Sequence, residues 1–484
     1  MKNKSITVLS FVLAVCMLGG CTEKAGQTSV NAVDTGEISA EEKSSAVSSS
    51  QAVSIFVPKN SSNLDASQSS PYSSSLSSEP QVSVDIPQSV TQTSQELSAE
   101  PPVELPNESQ PAPVVPGIPF KSNNYQAMNY SEVKGIWISY IELAGLASSS
   151  ESSFRGSIGS VYDNCAELGI NTVFVHVRSH SDAYYSSDYF PRTKYLGGSY
   201  DPLPIMIDEA HKRGLSFHAW INPMRGCSAD DIEREKGYPI YDWAGDETRL
   251  VELNGYYYLN PAYDEVIDLI SKGAAEIVEK YDVDGLHIDD YFYPTTETWF
   301  DNEAYRASSY SSLSEFRLAN CDKLVSSLYS AVKSANSTAI FGVSPQGNYQ
   351  NNYVYMYADV EKWCTQSGYL DYIMPQIYFG FKNAAQPFAK TVKQWDNIAA
   401  KGRIPLIVGL SPSKIGTEDG WGGTDGRYEW INDKDILKRQ FIESSEAISY
   451  GGICLYSFNS VFNADGDVRE QVDREVAVLK SAMN

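Results

Sequence analysis

Positive charge is what this sequence has least of. Its 484 residues carry 37 Lys and Arg against 61 Asp and Glu, a net charge of −24. A protein that grips a phosphate backbone needs a basic stripe, so nucleic acid is excluded as a partner. Cysteine is also scarce. Seven occur, and those beyond residue 21 (Cys165, Cys227, Cys321, Cys364 and Cys454) are odd in number, widely spaced and without a C-x-x-C pair. That pattern excludes a disulfide framework or a zinc knuckle and leaves them as small buried hydrophobes. There are five histidines but no H-E-x-x-H, and no His-x-His ends the first strand, so no metal and no other cofactor is expected. No Gly-x-Gly-x-x-Gly follows any predicted strand, which argues against an open, doubly wound nucleotide fold. After residue 20 no apolar run is long enough to cross a bilayer.

What is present begins with an export signal: Lys2 and Lys4, then an apolar run from Ile6 to Leu18 that is too short to span a membrane. The run ends Leu18-Gly19-Gly20-Cys21, which resembles the cleavage box of bacterial lipoproteins. The resemblance implies a signal peptide over 1–20, lipid on Cys21, and an exported protein anchored to the outer face of the cell membrane. From 21 to 125 the chain is Ser, Gln, Pro, Val and Glu with almost no aromatic residue. Such a composition cannot bury enough apolar surface to offset chain entropy, so a disordered tether is expected there. Its end-to-end distance would be roughly 50–60 Å.

Beyond Lys134 short apolar strands alternate with amphipathic stretches. Strands are expected at 135–141, 171–178, 215–222, 285–289, 340–345, 372–378, 405–410 and 452–458. Helical periodicity follows near 152–168, 203–213, 262–281, 313–335, 355–368, 386–401, 434–449 and 467–482. Eight such units in roughly 350 residues predict an α/β fold, a (β/α)8 TIM barrel over 132–484. Function in such a barrel gathers at the C-terminal strand ends. Those ends supply Ser139, Tyr140 and Glu142; His176, Arg178, His180 and Asp182; Trp220, Asn222 and Arg225. The later ones supply His287, Asp289, Asp290 and Tyr291; Ser344, Gln346 and Asn348; Gln376 and Tyr378; Ser411; Tyr456, Ser457 and Asn459. Four of the five histidines are expected at or beside this rim.

The stretch Tyr281–Pro294, YDVDGLHIDDYFYP, is the centre of the chain. Alternation along a strand puts Leu286 and Ile288 on one face and His287 and Asp289 on the other, with Asp290 at the rim. Carboxylates in such a place are costly to bury without partners. The rings around them (Tyr184, Tyr185, Trp220, Tyr291, Phe292, Tyr293, Tyr378, Phe379) would suit a sugar, whose C–H faces stack on rings and whose hydroxyls take hydrogen bonds.

Taken together, VKGIWIS, NTVFVHVRSHSDAYYSSDYFP, HAWINPMR, YDVDGLHIDDYFYP, FGVSPQGN and LDYIMPQIYFG resemble the glycosyl hydrolase-like 10 family of bacterial envelope lipoproteins. The resemblance runs from about Glu132 to Asn459. It implies a (β/α)8 glycoside hydrolase acting on cell-envelope glycan, foremost the glycan strands of peptidoglycan. Relatives tend to have Gln-Val-Arg-Pro where this chain has His176-Val177-Arg178-Ser179, so the arginine is carried over more firmly than the histidine.

Most glycosidases flank the scissile bond with two carboxyl groups. Asp289 is the expected nucleophile or transition-state stabiliser. Asp290, Glu142 and Asp182 are the candidates for general acid, and Asp289 with Asp290 form the expected catalytic pair. If the sugar carries a 2-acetamido group, one aspartate could orient that group as nucleophile while its neighbour protonates the leaving oxygen. Arg178, Trp220, Asn222, His287, Tyr291, Gln376 and Tyr378 are expected to bind substrate. Two rival readings remain open on sequence: a glycan-binding lipoprotein that has lost catalysis, and a metal-dependent hydrolase built on His176, His180, His287 and Asp289.

Overall fold

The computed structural model describes residues 121–484 except 123 and 149. The expected signal, Cys21 and the tether up to residue 120 lie outside the described residues. In chain order the strands are β1 (Val133–Ile138), β2 (Thr172–Arg178), β3 (Ser216–Ile221), β4 (Arg225–Ser228), β5 (Leu250–Leu253) and β6 (Tyr256–Leu259). They continue with β7 (Gly285–Ile288), β8 (Ile340–Val343), β9 (Tyr372–Ile373), β10 (Leu406–Leu410) and β11 (Tyr450–Leu455). Eight of them close a parallel barrel in the order β1-β11-β10-β9-β8-β7-β3-β2. The expected TIM barrel is therefore correct.

Each barrel strand reads as an apolar run because both its faces are covered. Outward side chains such as Val173, Val175, Leu286 and Ile288 join the main core beneath the helices. Inward ones, among them Trp137, Phe174, Trp220, Tyr372 and Met374, fill the lumen. Large rings fit there because glycines face them: a Cβ added at Gly342 would overlap the Tyr372 ring. The five cysteines are free and buried, as their spacing predicted.

The departures from the expected boundaries have local causes. The first strand stops at Ile138 because Ser139 caps a helix over Tyr140–Leu146, with Glu142 closing a capping box. The sixth strand keeps only Tyr372–Ile373. Pro375 lacks the N–H a ladder needs, and pairing resumes singly at Gln376 with Gln346 and Gly409.

Between β3 and β7 the chain leaves the barrel to make an antiparallel sheet, β4-β6-β5, which the sequence reading did not anticipate. Its first strand carries Arg225, four residues past β3. At the opposite, N-terminal end of the barrel a segment beginning at Lys121 is strapped across the strand ends. Lys121 Nζ donates to Val278 O at 2.8 Å, and Tyr130 Oη to Gly214 O at 2.6 Å. Asp284, fully buried, accepts from Tyr125 Oη, Met128 N, His211 Nε2 and Phe217 N. The strap thus starts before residue 125, where the tether was expected to end.

Candidate active site

Asp289 follows β7 directly, with its side chain turned inward and 4 % exposed. Trp220 Nε1 donates to its Oδ2 at 3.0 Å, and the Tyr291 backbone N–H reaches Oδ1 at 3.4 Å. Asn222 supplies a third donor. With its amide nitrogen turned inward it donates to Asp289 Oδ2 at 3.0 Å and to His176 Nε2 at 2.7 Å. The His176 ring lies flat on the Trp220 indole, centroids 3.7 Å apart. Trp220 and Asn222 sit two residues apart at the end of β3, so a single strand delivers both donors to the same carboxylate.

Asp290 sits partly exposed at the mouth. Gln376 Nε2 donates to its Oδ1 at 3.0 Å and also to Ser344 O at 3.1 Å, linking the carboxylate to the ends of β8 and β9. Burial pushes the Asp289 pKa well above the usual carboxylate range, and the neighbouring Asp290 pushes it further. Burial raises Asp290 too, offset in part by the Gln376 amide. Both carboxyls thus favour the protonated form more than an exposed carboxyl would.

The other expected residues divide. Tyr291 is 39 % exposed at the rim, with the Arg225 guanidinium 4.5 Å from its ring centroid. Tyr378 stacks on Tyr456, 5.7 Å between centroids, beside both carboxylates. Two residues are not brought to the site. Arg178 would face inward if β2 were regular, but the register slips between His176 and Arg178, so Arg178 pairs with outward-facing Ile221. Its guanidinium lies 4.1 Å from the centre of the Phe190 ring, packed against Gly273 of the helix over Asp264–Lys280. The expected substrate contact is thereby corrected to a buried role behind the barrel wall.

His287 is fully buried one layer beneath the mouth. Trp137 Nε1 donates to its Nε2 at 3.2 Å, and its Nδ1 meets Tyr372 Oη at 3.0 Å. Substrate contact is corrected here also, because two rings close it off. The expectation of four histidines at the rim reduces to His176 and His180: His218 lies deeper still, bonded to Tyr372 Oη and to Asn129 of the strap. Among the described residues no group of three or more His, Cys, Asp and Glu stands close enough to hold a metal ion.

Of the alternative acids, Glu142 accepts from Ser139 N, Ser457 Oγ and Asn459 N at 2.5, 2.7 and 2.6 Å. It ties the first loop to the last, with both oxygens engaged in those bonds. Asp182 lies in the loop after β2 beside Thr193, Lys194 and Arg234.

The sequence reading placed Arg225, Tyr456 and Gln346 at strand ends without giving them roles in the site, and gave His176 one only as a metal ligand in a rival reading. Arg225 acts on the charges of Asp289 and Asp290 alike, and His176 orients Asn222. The signal for Arg225 was its position in HAWINPMR, the same block that holds Trp220 and Asn222.

Comparisons with known proteins bear on the family and the fold. The family model described as glycosyl hydrolase-like 10 matches residues 132–421. The chain is 31 % identical over 333 residues to glycosyl hydrolase YngK of Bacillus subtilis, covering 62 % of this chain and 63 % of that protein. It is 33 % identical over 285 residues to glycosyl hydrolase DigH of Escherichia coli K12, covering 52 % and 65 %. The chain thus spans less than two thirds of these relatives. Among solved structures, the PgaB (BpsB) glycoside hydrolase domain of Bordetella bronchiseptica superposes with a TM-score of 0.50 at 14 % identity, over 73 % of this chain and 99 % of that one, a likeness of fold.

Proposed function

This chain belongs to the glycosyl hydrolase-like 10 family, and from that premise we propose that it is a glycosidase acting on the glycan strands of peptidoglycan. The observation that carries the reading is the Asp289–Asp290 pair at the end of β7, one carboxylate held by three donors and the other at the mouth. Asp290 stands at the mouth with its carboxyl raised by burial, which suits a proton donor, and Asp289 lies beneath it with three donors on its oxygens, which suits a group that orients the sugar.

In this scheme Asp290 protonates the glycosidic oxygen as the bond to the anomeric carbon breaks. Asp289 orients the 2-acetamido group, whose carbonyl oxygen attacks that carbon. Water then opens the cyclic intermediate, returning its proton to Asp290. Adjacent carboxylates suit this scheme because neither has to reach across the ring as nucleophile. Tyr291, Tyr378 and Gln376 are proposed to contact the sugar, and Trp220 and Asn222 to position Asp289. The test is cleavage of peptide-free glycan strands, scored as new reducing ends. Strands stripped of N-acetyl groups should resist, and equal cleavage of both would remove the acetamido step.

We further propose that the protein is exported and lipid-anchored through Cys21, on the cleavage-box resemblance. Labelling of growing cells with a fatty-acid probe should mark the wild type and leave Cys21→Ala unlabelled. A labelled alanine variant contradicts the anchor.

A further inference from the structure

Arg225 is placed unlike the other basic side chains near the mouth. It belongs to the accessory sheet, on β4, and pairs in register with Tyr258 of β6. It is partly exposed, and its guanidinium makes no ion pair within 4 Å and no hydrogen bond to any described residue. Lys194, by contrast, is spent on Asp231 at 2.6 Å. The guanidinium rests on Tyr291, and its charge is felt by Tyr140 and Tyr258 as well as by both aspartates. A cation held by a ring, with all five N–H groups unspent, is prepared to grip a planar anion in a forked geometry.

We propose that Arg225 is a specificity-determining residue that binds a carboxylate carried by the sugar beside the scissile bond. The inference rests on the glycosidase reading and adds to it the charge of the substrate. Two features support a substrate anion over a purely internal role. Asp289 accepts from Trp220, Asn222 and Tyr291, and Asp290 from Gln376, while Arg225 is hydrogen-bonded to neither. In addition, a chain of net charge −24 repels an acidic glycan unless a cation is offered where it docks. The carboxylate could stand on a lactyl ether of an amino sugar or at C6 of a uronic acid, and the geometry recognises the group common to both.

The experiment compares peptide-free peptidoglycan strands with the same strands after their carboxyl groups are reduced to alcohols. For the wild type, kcat/KM should favour the native strands by about tenfold or more, as expected for a charge-assisted pair. Arg225→Gln should bring that ratio close to one, and Arg225→Lys should restore part of it. Equilibrium binding of both strand forms to Asp290→Asn is measured alongside, with oligogalacturonate as a uronate competitor to separate the two carboxylate sources. A wild type that does not discriminate overturns the proposal, as does Arg225→Gln that slows both substrates while keeping the ratio. If nothing is cleaved yet binding needs the carboxylate and Arg225, the glycosidase reading fails and this one stands. If the wild type binds neither form, both fail.

Discussion

At the scale of single residues, the site is a problem in where one charge rests. Asp289 is buried enough for its carboxyl to be pushed well up, yet the Trp220 indole N–H and the Asn222 amide both favour its ionised form. Trp220→Phe removes one donor to a charged group, worth roughly 1.5–3 kcal/mol. The expected result is a fall in kcat of roughly 10- to 100-fold, with the acidic limb of the pH–rate profile moved to higher pH. The sign follows because the lost donor had held the pKa down. A profile that keeps its limb while kcat falls would reduce Trp220 to a packing role.

Glu235 offers a cleaner titration. Burial lifts its carboxyl to about 7, while the Ser181 hydroxyl holds it down and Asp182 adds a smaller upward push. A carboxyl whose folded pKa is raised binds its proton more tightly in the folded than in the unfolded state. Stability from this group is therefore full below the unfolded value near 4.5 and is lost as pH rises toward about 7. Melting temperatures across that window should fall with pH for the wild type and fall less for Glu235→Gln. Parallel curves for the two proteins would contradict the assignment.

At the scale of elements, the barrel strands were legible because each pairs an apolar run with a following amphipathic helix, and that alternation survives in one sequence. The residues at the mouth were legible for the same reason: strand parity sent Asp289 inward and Leu286 and Ile288 outward. Parity misled at Arg178, because the slip after His176 is set by the register of β2 against β3, which no single strand encodes. The loss here should be one of stability. Arg178→Met leaves Tyr185 and Phe190 with a neighbour of similar volume, and Arg178→Ala leaves a cavity costing about 2–4 kcal/mol. Both should retain the wild-type KM, and a raised KM with an unchanged melting temperature would return Arg178 to the site.

The accessory sheet was missed because β4, β5 and β6, four residues each, do not alternate one for one with long amphipathic helices as the barrel strands do. His287 was misjudged in depth: parity gave its face correctly, but the height of a residue in the lumen depends on how neighbouring strands stagger. Gly342 illustrates how closely that lumen is filled. Gly342→Ala should cost several kcal/mol, since the added methyl must displace the Tyr372 ring from its bond with His287. A melting temperature within a degree of the wild type would count against this packing.

At the scale of the whole molecule, one end of the barrel is closed and the other carries the Asp289–Asp290 pair. The strap from Lys121 and the four-donor hub at Asp284 cover the N-terminal face, and the proposed substrate would reach the Asp289–Asp290 mouth from the opposite side. Among the described residues no helix is long and apolar enough to cross a membrane. The account therefore stands or falls at the end of β7. The most direct measurement is the rate at which wild type, Asp289→Asn and Asp290→Asn release new reducing ends from peptide-free glycan strands, with folding of each checked by its melting curve. The wild type should cleave, and both variants should lose activity by roughly 10²- to 10⁴-fold. Folded variants that cleave at the wild-type rate, or a wild type that binds the strands and leaves them whole, would contradict it.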